Sequence, residues 1–231
     1  ESFAVNGGAL YVHGENTTIS NSAIDDSIAS KSGGAIFVDG IGADIIKSSF
    51  NNTHALGSEG NGGGAIFVKG NNAEVIESNF TNTYANSNSH AKGGAMYITG
   101  ANAEIVDSKF TNAHSNLQGG AIYVNGTNTT IRGSEFEECA VNTDGSEGGA
   151  IYVNGEFTTI IDSTFDQNTA KSEGGAIYIH GLNTTISNSS FEENSVDGNG
   201  GGAIYVNGDY ATIEGSNFTK NEADVKNGAE G

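Results

Sequence analysis

The sequence contains no proline and no tryptophan, and only one cysteine and one methionine among its 231 residues. Because Cys139 has no partner, no disulfide can form within the chain. Proline disrupts central β-strands, so its absence is compatible with a chain made of β-ladders. The sequence also lacks a run of about 18 apolar residues and a basic-then-apolar leader, and we therefore expect no membrane insertion in this segment.

Basic residues are scarce as well. The chain has 9 Lys plus Arg against 28 Asp plus Glu, which gives a formal net charge of −19. Such a charge repels phosphate backbones and anionic lipid surfaces, so we expect no nucleic-acid partner. Strong acidity is also typical of disorder, but 35% of the residues are hydrophobic and they recur at fixed positions. The chain is therefore expected to fold.

Glycine is abundant, with 35 residues, and it marks an internal repeat. The triplet Gly-Gly-Ala begins at Gly7, Gly33, Gly63, Gly93, Gly119, Gly148, Gly174 and Gly201. Successive triplets begin 26 to 30 residues apart, a period typical of solenoids and arrays. The repeats predict one β-solenoid domain over residues 1–231, with eight coils and no separate caps. We number the places of each coil from its first glycine.

Alternation within each coil predicts which side chains face the core. Place seven is mostly polar and must face water, so places four and six point inward and places three and five outward. Place thirteen adds an aliphatic residue and place eighteen a phenylalanine in seven coils. Helical periodicity is absent. The pattern predicts three short strands and three turns per coil, with glycine corners at places one, two and eight.

Stacked coils of this kind form an all-β fold, the single-stranded parallel β-helix, which we expect to be right-handed because parallel crossovers nearly always are. A β-propeller is the alternative, but its blades need about 40 residues and four antiparallel strands. The period of this chain is too short for such blades.

The repeat unit also resembles known families. The alternation of GGAI with FxxN, complete at 165–168, 191–194 and 218–221, resembles repeats of chlamydial polymorphic outer-membrane proteins. The fuller unit GGAIYVNGxxTTIxxSxF is similar to adhesin-like repeat proteins of methanogenic archaea. The resemblance implies a secreted β-helix that is displayed on the cell surface and functions in adhesion or in the structure of the cell envelope. We therefore expect an extracellular protein of a prokaryote, and an archaeal source is favoured. It does not imply a catalytic site, because the matched residues are glycines, core apolar residues and turn formers. We expect no cofactor.

An aromatic residue occupies place five in every coil. These residues are Tyr11, Phe37, Phe67, Tyr97, Tyr123, Tyr152, Tyr178 and Tyr205. If place five faces solvent, the stacked rings form a ladder that docks a glycan or an apolar partner. The alternative is that the ladder only stabilises the sheet, or that long loops cover it.

A second candidate surface lies in coils two to four. Place twelve carries Asp44, Glu74 and Glu104, and place fourteen carries Ile46, Ile76 and Val106. This acidic–apolar patch would suit a cation or a basic partner. The alternative is a solvated face.

Eight N-x-Ser/Thr triplets are candidate glycosylation sites. They begin at Asn16, Asn51, Asn79, Asn125, Asn128, Asn183, Asn188 and Asn217. Threonine pairs at places eleven and twelve suggest an outward array that orders water, although acidic residues interrupt it. Cys139 is expected to be a buried structural thiol.

Catalysis and metal binding have little support in the sequence. Polysaccharide-active β-helices need paired acids with a basic group or a metal, yet Arg132 is the only arginine. His13 and His180 lie six coils apart. His54 and His114 share place twenty-two with one coil between them, so about 10 Å separates their backbones. We expect no metal site and no enzyme, with a polysaccharide-active enzyme kept as a minor alternative.

Two function classes remain. The first is a surface adhesin that binds a glycan or a protein on another cell. The second is a structural envelope or filament subunit, because solenoid ends without caps favour end-to-end stacking. We expect the chain to be either a fragment of a longer adhesin or such a stacking subunit.

Overall fold

A computed structural model describes residues 4–56, 62–86, 91–198 and 200–224. Every strand in these ranges belongs to one of four parallel sheets, and each coil contributes one strand to each sheet. The chain therefore forms the all-β parallel solenoid of about eight coils that the repeats predicted. Within the same ranges no helix is long and apolar enough to cross a membrane.

The strands are short and recur at the same places. The first sheet contains Leu10–Val12, Ile36–Val38, Ile66–Val68, Met96–Ile98, Ile122–Val124, Ile151–Val153, Ile177–Ile179 and Ile204–Val206. The second contains Thr18–Ser20, Asp44–Ile46, Glu74–Ile76, Glu104–Val106, Thr130–Arg132, Thr159–Ile161, Thr185–Ser187 and Thr212–Glu214. The third contains Ala23–Asp25, Ser49–Asn51, Asn79–Thr81, Lys109–Thr111, Glu135–Glu137, Thr164–Asp166, Ser190–Glu192 and Asn217–Thr219. The fourth contains Ala4–Asn6, Ile28–Ser32, His54–Ala55, Tyr84–Ala85, His114–Ser115, Ala140–Val141, Thr169–Ala170, Ser195–Val196 and Glu222–Ala223.

The fourth strand was missed, so the prediction of three strands per coil was wrong. From coil two onward this strand spans only places twenty-two and twenty-three, as in His54–Ala55. Two residues are too few to show an alternating pattern, whereas the three-residue strands each place an apolar residue at a fixed position. The added strand gives each coil a further side, and that side carries the groove described below.

The core lies inside the four sheets, and its predicted members are confirmed. Places four, six, thirteen and eighteen are buried in the middle coils. The phenylalanines of place eighteen stack with ring centroids 4.7 to 4.9 Å apart and planes within 7° of parallel. In-register pairing causes this stacking, because Phe80 lies opposite both Phe50 and Phe110.

The alanine at place three was predicted to face outward, and this was wrong. Ala35 is fully buried in the core beside Ile36. The backbone N–H groups of both residues donate to the same oxygen, that of Ala65, at 2.9 Å. Two consecutive residues therefore lie at a corner rather than in a regular strand, and alternation begins only at place four.

The glycine corners are confirmed, for two different reasons. At place one the φ angle is positive, as in Gly148 at 69°, a conformation that residues with a Cβ adopt at a cost. At place two the neighbouring coil leaves no room. A Cβ on Gly149 would lie 2.0 Å from the carbonyl oxygen of Gly175.

The FxxN asparagines form a buried hydrogen-bonded ladder. The Asn168 amide nitrogen donates to the Asn194 side-chain oxygen at 2.9 Å, and Asn194 donates in the same way to Asn221. Each of these asparagines also donates to a phenylalanine carbonyl oxygen of the preceding coil. The ladder satisfies backbone groups at a buried corner. Cys139 holds the same place in coil five and is fully buried, which confirms the structural thiol.

Candidate functional site: a polar aromatic groove

The aromatic ladder of place five does form on the outer face of the first sheet. Neighbouring ring centroids lie 4.7 to 5.3 Å apart. Six of the ladder's eight members are hidden from solvent, so the structure favours the alternative in which the ladder stabilises the sheet over the hypothesis of a solvent-facing docking surface. Phe37, Phe67, Tyr97, Tyr123, Tyr152 and Tyr178 are only 4 to 8% exposed. Tyr205 is partly buried, and only Tyr11, in the first coil, is well exposed.

Residues just before the next Gly-Gly contribute to the cover of the ladder. The Lys92 ammonium lies 4.4 Å from the ring centroid of Tyr123 and donates a hydrogen bond of 3.2 Å to its hydroxyl oxygen. The Gln118 amide donates to the Glu147 carboxylate at 2.9 Å. Burial raises the pKa of Tyr152, and the nearby charge of Glu147 raises it further. The ladder thus forms a second hydrophobic cluster, separate from the main core, and six of its rings are buried.

In-register pairing in the second sheet brings the residues of the acidic–apolar patch next to one another. Glu74 lies opposite Asp44 and Glu104 in register, and Ile76 lies opposite Ile46 and Val106. The isoleucines are half-buried and Val106 is 7% exposed. In the described ranges no group of three His, Cys, Asp or Glu side chains is placed to hold a metal ion. Binding of a cation or a basic partner here stays a prediction.

The other sequence candidates lie apart from one another. All eight asparagines of the N-x-Ser/Thr triplets are exposed, so their glycosylation stays a prediction. Place eleven was expected to carry outward threonines, but Thr129, Thr158 and Thr184 are fully buried, because the second strand starts only at place twelve. The array that would order water is therefore half hidden. Arg132 is exposed on the second sheet.

A concave surface with aromatic lining lies at the fourth sheet. It is a groove of about 470 Å³ that spans coils two to five. Its lining residues are Asn52, His54, Asn82, Thr83, Tyr84, Asn112, His114 and Asn142. Asn52, Asn82 and Asn112 lie at the corner of place twenty, where φ is near +50° and asparagine is one of the few residues tolerated. The corner and the adjoining strand thus form the two walls.

The rings of the groove belong to three successive coils. Tyr84 lies in register between His54 and His114. Its ring centroid is 6.1 Å from that of His54 and 6.5 Å from that of His114, and both pairs are nearly perpendicular. The Tyr84 hydroxyl donates to the Asn116 side-chain oxygen at 3.0 Å. This bond fixes the central ring in position.

Hydrogen bonds between the walls orient the imidazoles. The Nε2 atom of His54 lies 2.9 Å from the Asn52 side-chain oxygen, and that of His114 lies 2.6 Å from the Asn112 oxygen. Since an amide oxygen only accepts, each Nε2 carries the proton and donates. The Asn112 amide nitrogen in turn donates to Asn82 at 2.6 Å. The groove side chains therefore form a connected polar wall.

The groove is uncharged at neutral pH. Burial lowers the pKa of His54 and His114 from the ordinary value of 6.5, although the charge of Asp26 raises that of His54 in part. The Nδ1 atom of His114 is shielded from solvent and has no hydrogen-bond partner among the described residues. Interaction with the Ala140 backbone raises the pKa of His114 in part, but burial has the larger effect. The eight lining residues include no carboxylate, lysine or arginine.

Sequence reasoning considered His54 and His114 only as a metal pair and overlooked Tyr84 between them. The available signal was at place twenty-two, which carries His, Tyr and His in coils two to four and non-aromatic residues in the other coils. The asparagines two places earlier repeat in the same three coils. The residues at places twenty and twenty-two of coils two to four therefore differ from those of the other coils.

Comparisons with known proteins agree with the architecture. No curated protein and no solved structure matches the chain. The family described as right-handed beta helix region matches residues 7–222, which is nearly the whole repeat array. The chain therefore belongs to the right-handed β-helix family.

Proposed function

We propose that this protein is an extracellular, cell-surface β-helix that acts in adhesion by binding a glycan or a protein on another surface. The observation that carries the proposal is the open groove over His54, Tyr84 and His114 on an otherwise regular rod. Solenoid scaffolds place their binding surfaces along such a side, where several coils contribute equivalent residues. The similarity of the repeats to adhesin-like proteins of methanogens supports the same role.

The groove supports binding rather than hydrolysis. Most glycoside hydrolases use two carboxyl groups that flank the scissile bond. The lining residues supply amides, imidazoles, one phenol and one threonine, none of which replaces that pair. We therefore propose a ligand-binding surface protein without catalytic turnover.

The proposal is tested with beads coated with the protein and a panel of intact archaeal and bacterial cells. We expect adhesion to at least one cell type. Periodate treatment of the cells, which cleaves sugar diols, and protease treatment then distinguish a glycan from a protein receptor. The proposed adhesive function would be contradicted if the beads adhered to none of the cell types and sedimentation velocity showed rods that lengthen with protein concentration. That result would favour a structural subunit.

A further inference from the structure

We infer that the groove over His54, Tyr84 and His114 binds a neutral oligosaccharide that lies along the rod axis. This inference rests on the proposed adhesive function and specifies the ligand class and its site. It is carried by the charge of the lining, by the geometry of the rings and by the hydrogen bonds that the amides can still make.

Charge selects the class of ligand. The chain has a net charge of −19, yet the eight lining residues include no charged group at neutral pH. An anionic polymer would be repelled by the field of the protein and would find no lysine or arginine in the groove. A cationic ligand would be drawn to the acidic patch of Asp44, Glu74 and Glu104 on another sheet. A neutral ligand rich in hydrogen-bonding groups remains.

The arrangement of rings fits a sugar. A pyranose has an apolar face of C–H groups and a rim of hydroxyl groups, so it pairs with an aromatic ring beside polar side chains. Tyr84 provides the central ring, with the imidazoles of His54 and His114 on either side along the axis. Successive coils repeat at about 4.8 Å, a spacing similar to the length of one sugar unit. An extended oligosaccharide would therefore meet an amide and a ring at each of three coils.

The amides retain donors for hydroxyl groups. A side-chain amide carries two N–H donors. Asn112 uses one toward Asn82 and Asn52 uses one toward Asp26, which leaves each a second. The Asn82 amide nitrogen donates to no described residue, while its oxygen is already occupied by Asn112. The wall is thus fixed by its internal bonds and still offers N–H groups to a ligand.

The test is an array and titration with defined oligosaccharides. Neutral oligomers of glucose, mannose, galactose and N-acetylglucosamine are compared with oligomers of glucuronic and galacturonic acid. We expect wild-type protein to bind at least one neutral oligomer and to bind the acidic ones more weakly. Tyr84→Ala is expected to lower the affinity for the neutral oligomer about tenfold, the loss typical of removing one aromatic contact.

Three further variants separate a binding role from a structural one. Tyr84→Phe keeps the ring and should retain most of the affinity. Asn82→Gly removes an amide from a left-handed corner without adding strain and should weaken binding several-fold. The control is Tyr210→Asn in coil eight, where the tyrosine is 79% exposed. Tyr210 has a left-handed backbone conformation that asparagine also tolerates, so this variant should keep the wild-type affinity. Circular dichroism melts confirm that each variant is folded.

The outcomes distinguish this inference from the proposed function. Adhesion of coated beads to cells without binding of any neutral oligosaccharide would overturn the inference and leave the adhesive function standing. Equal affinity of the Tyr84→Ala and wild-type proteins, or preferred binding of the uronic acid oligomers, would overturn it as well. Failure of both the bead assay and the array would overturn both.

Discussion

The buried asparagine ladder predicts a large, local loss of stability for Asn194→Ala. The Asn194 side chain is fully buried and makes four hydrogen bonds. Its oxygen accepts from the backbone N–H and the side-chain amide of Asn168 at 3.0 and 2.9 Å, and its nitrogen donates to the Phe165 and Asn221 oxygens at 3.0 and 2.9 Å. Truncation leaves the backbone N–H and one side-chain N–H of Asn168 buried without this partner, and it removes the hydrogen bond to the Phe165 carbonyl.

The magnitude follows from the cost of those unpaired groups. Each buried donor or acceptor left unsatisfied costs about 1–3 kcal/mol, so the two groups together cost about 2–6 kcal/mol of unfolding free energy. The matched control is Asn154→Ala, because Asn154 is half-exposed and donates one hydrogen bond of 2.6 Å to Asn125. Water replaces that bond, so we expect a loss below about 1 kcal/mol.

Urea unfolding followed by circular dichroism measures the difference. We expect the Asn194→Ala midpoint to fall several times further than the Asn154→Ala midpoint. A repeat array need not unfold in one step, so the transition of the whole array is compared between variants rather than converted to an absolute stability. Equal shifts of the two midpoints would refute the reasoning, because they would show that the buried hydrogen bonds of Asn194 stabilise the fold no more than the exposed bond of Asn154 does.

Two further predictions follow from buried titratable groups. Burial raises the pKa of the Cys139 thiol to about 12. An alkylating reagent should therefore leave the thiol of the native protein unmodified and label it fully after unfolding in guanidinium. If the native protein were labelled as fast as the unfolded protein, the buried position of Cys139 would be contradicted. The lowered pKa values of His54 and His114 mean that the unfolded chain takes up protons more readily than the folded one, so their contribution to stability is complete above about pH 6.5 and is lost as the pH falls through the folded-state values. Melting temperatures between about pH 7 and 5 should fall more steeply for wild type than for a His54→Asn/His114→Asn double variant, and parallel curves would contradict this assignment.

The repeating parts of the fold could be predicted because every coil has the same types of residue at the same places. The Phe80 and Phe110 positions, like the paired glycines, recur at fixed spacing and are buried by the same neighbours in each coil. Errors arose where a residue departs from ideal alternation. Ala35 lies at a corner, and the fourth strand is too short to leave a pattern.

The surface could be predicted less well, for a different physical reason. Whether the Tyr123 ring is exposed depends on Lys92 and its neighbours, which belong to the variable segment before Gly-Gly and follow no repeat. The groove depends on an exception to the repeat, the aromatic side chains of coils two to four, rather than on the repeat itself. A search for departures from the consensus at each place would have found Tyr84.

The central claim is that the groove over Tyr84, and not the aromatic ladder, is the surface that meets a ligand. Hydroxyl-radical footprinting of the tyrosines, read by mass spectrometry in free protein and in protein bound to cells, tests it most directly. We predict that Tyr97, Tyr123, Tyr152 and Tyr178 are protected in free protein, that Tyr84 and Tyr210 are modified, and that only Tyr84 loses its reactivity on adhesion. Modification of the ladder tyrosines in free protein, or an unchanged rate at Tyr84 in bound protein, would contradict the account.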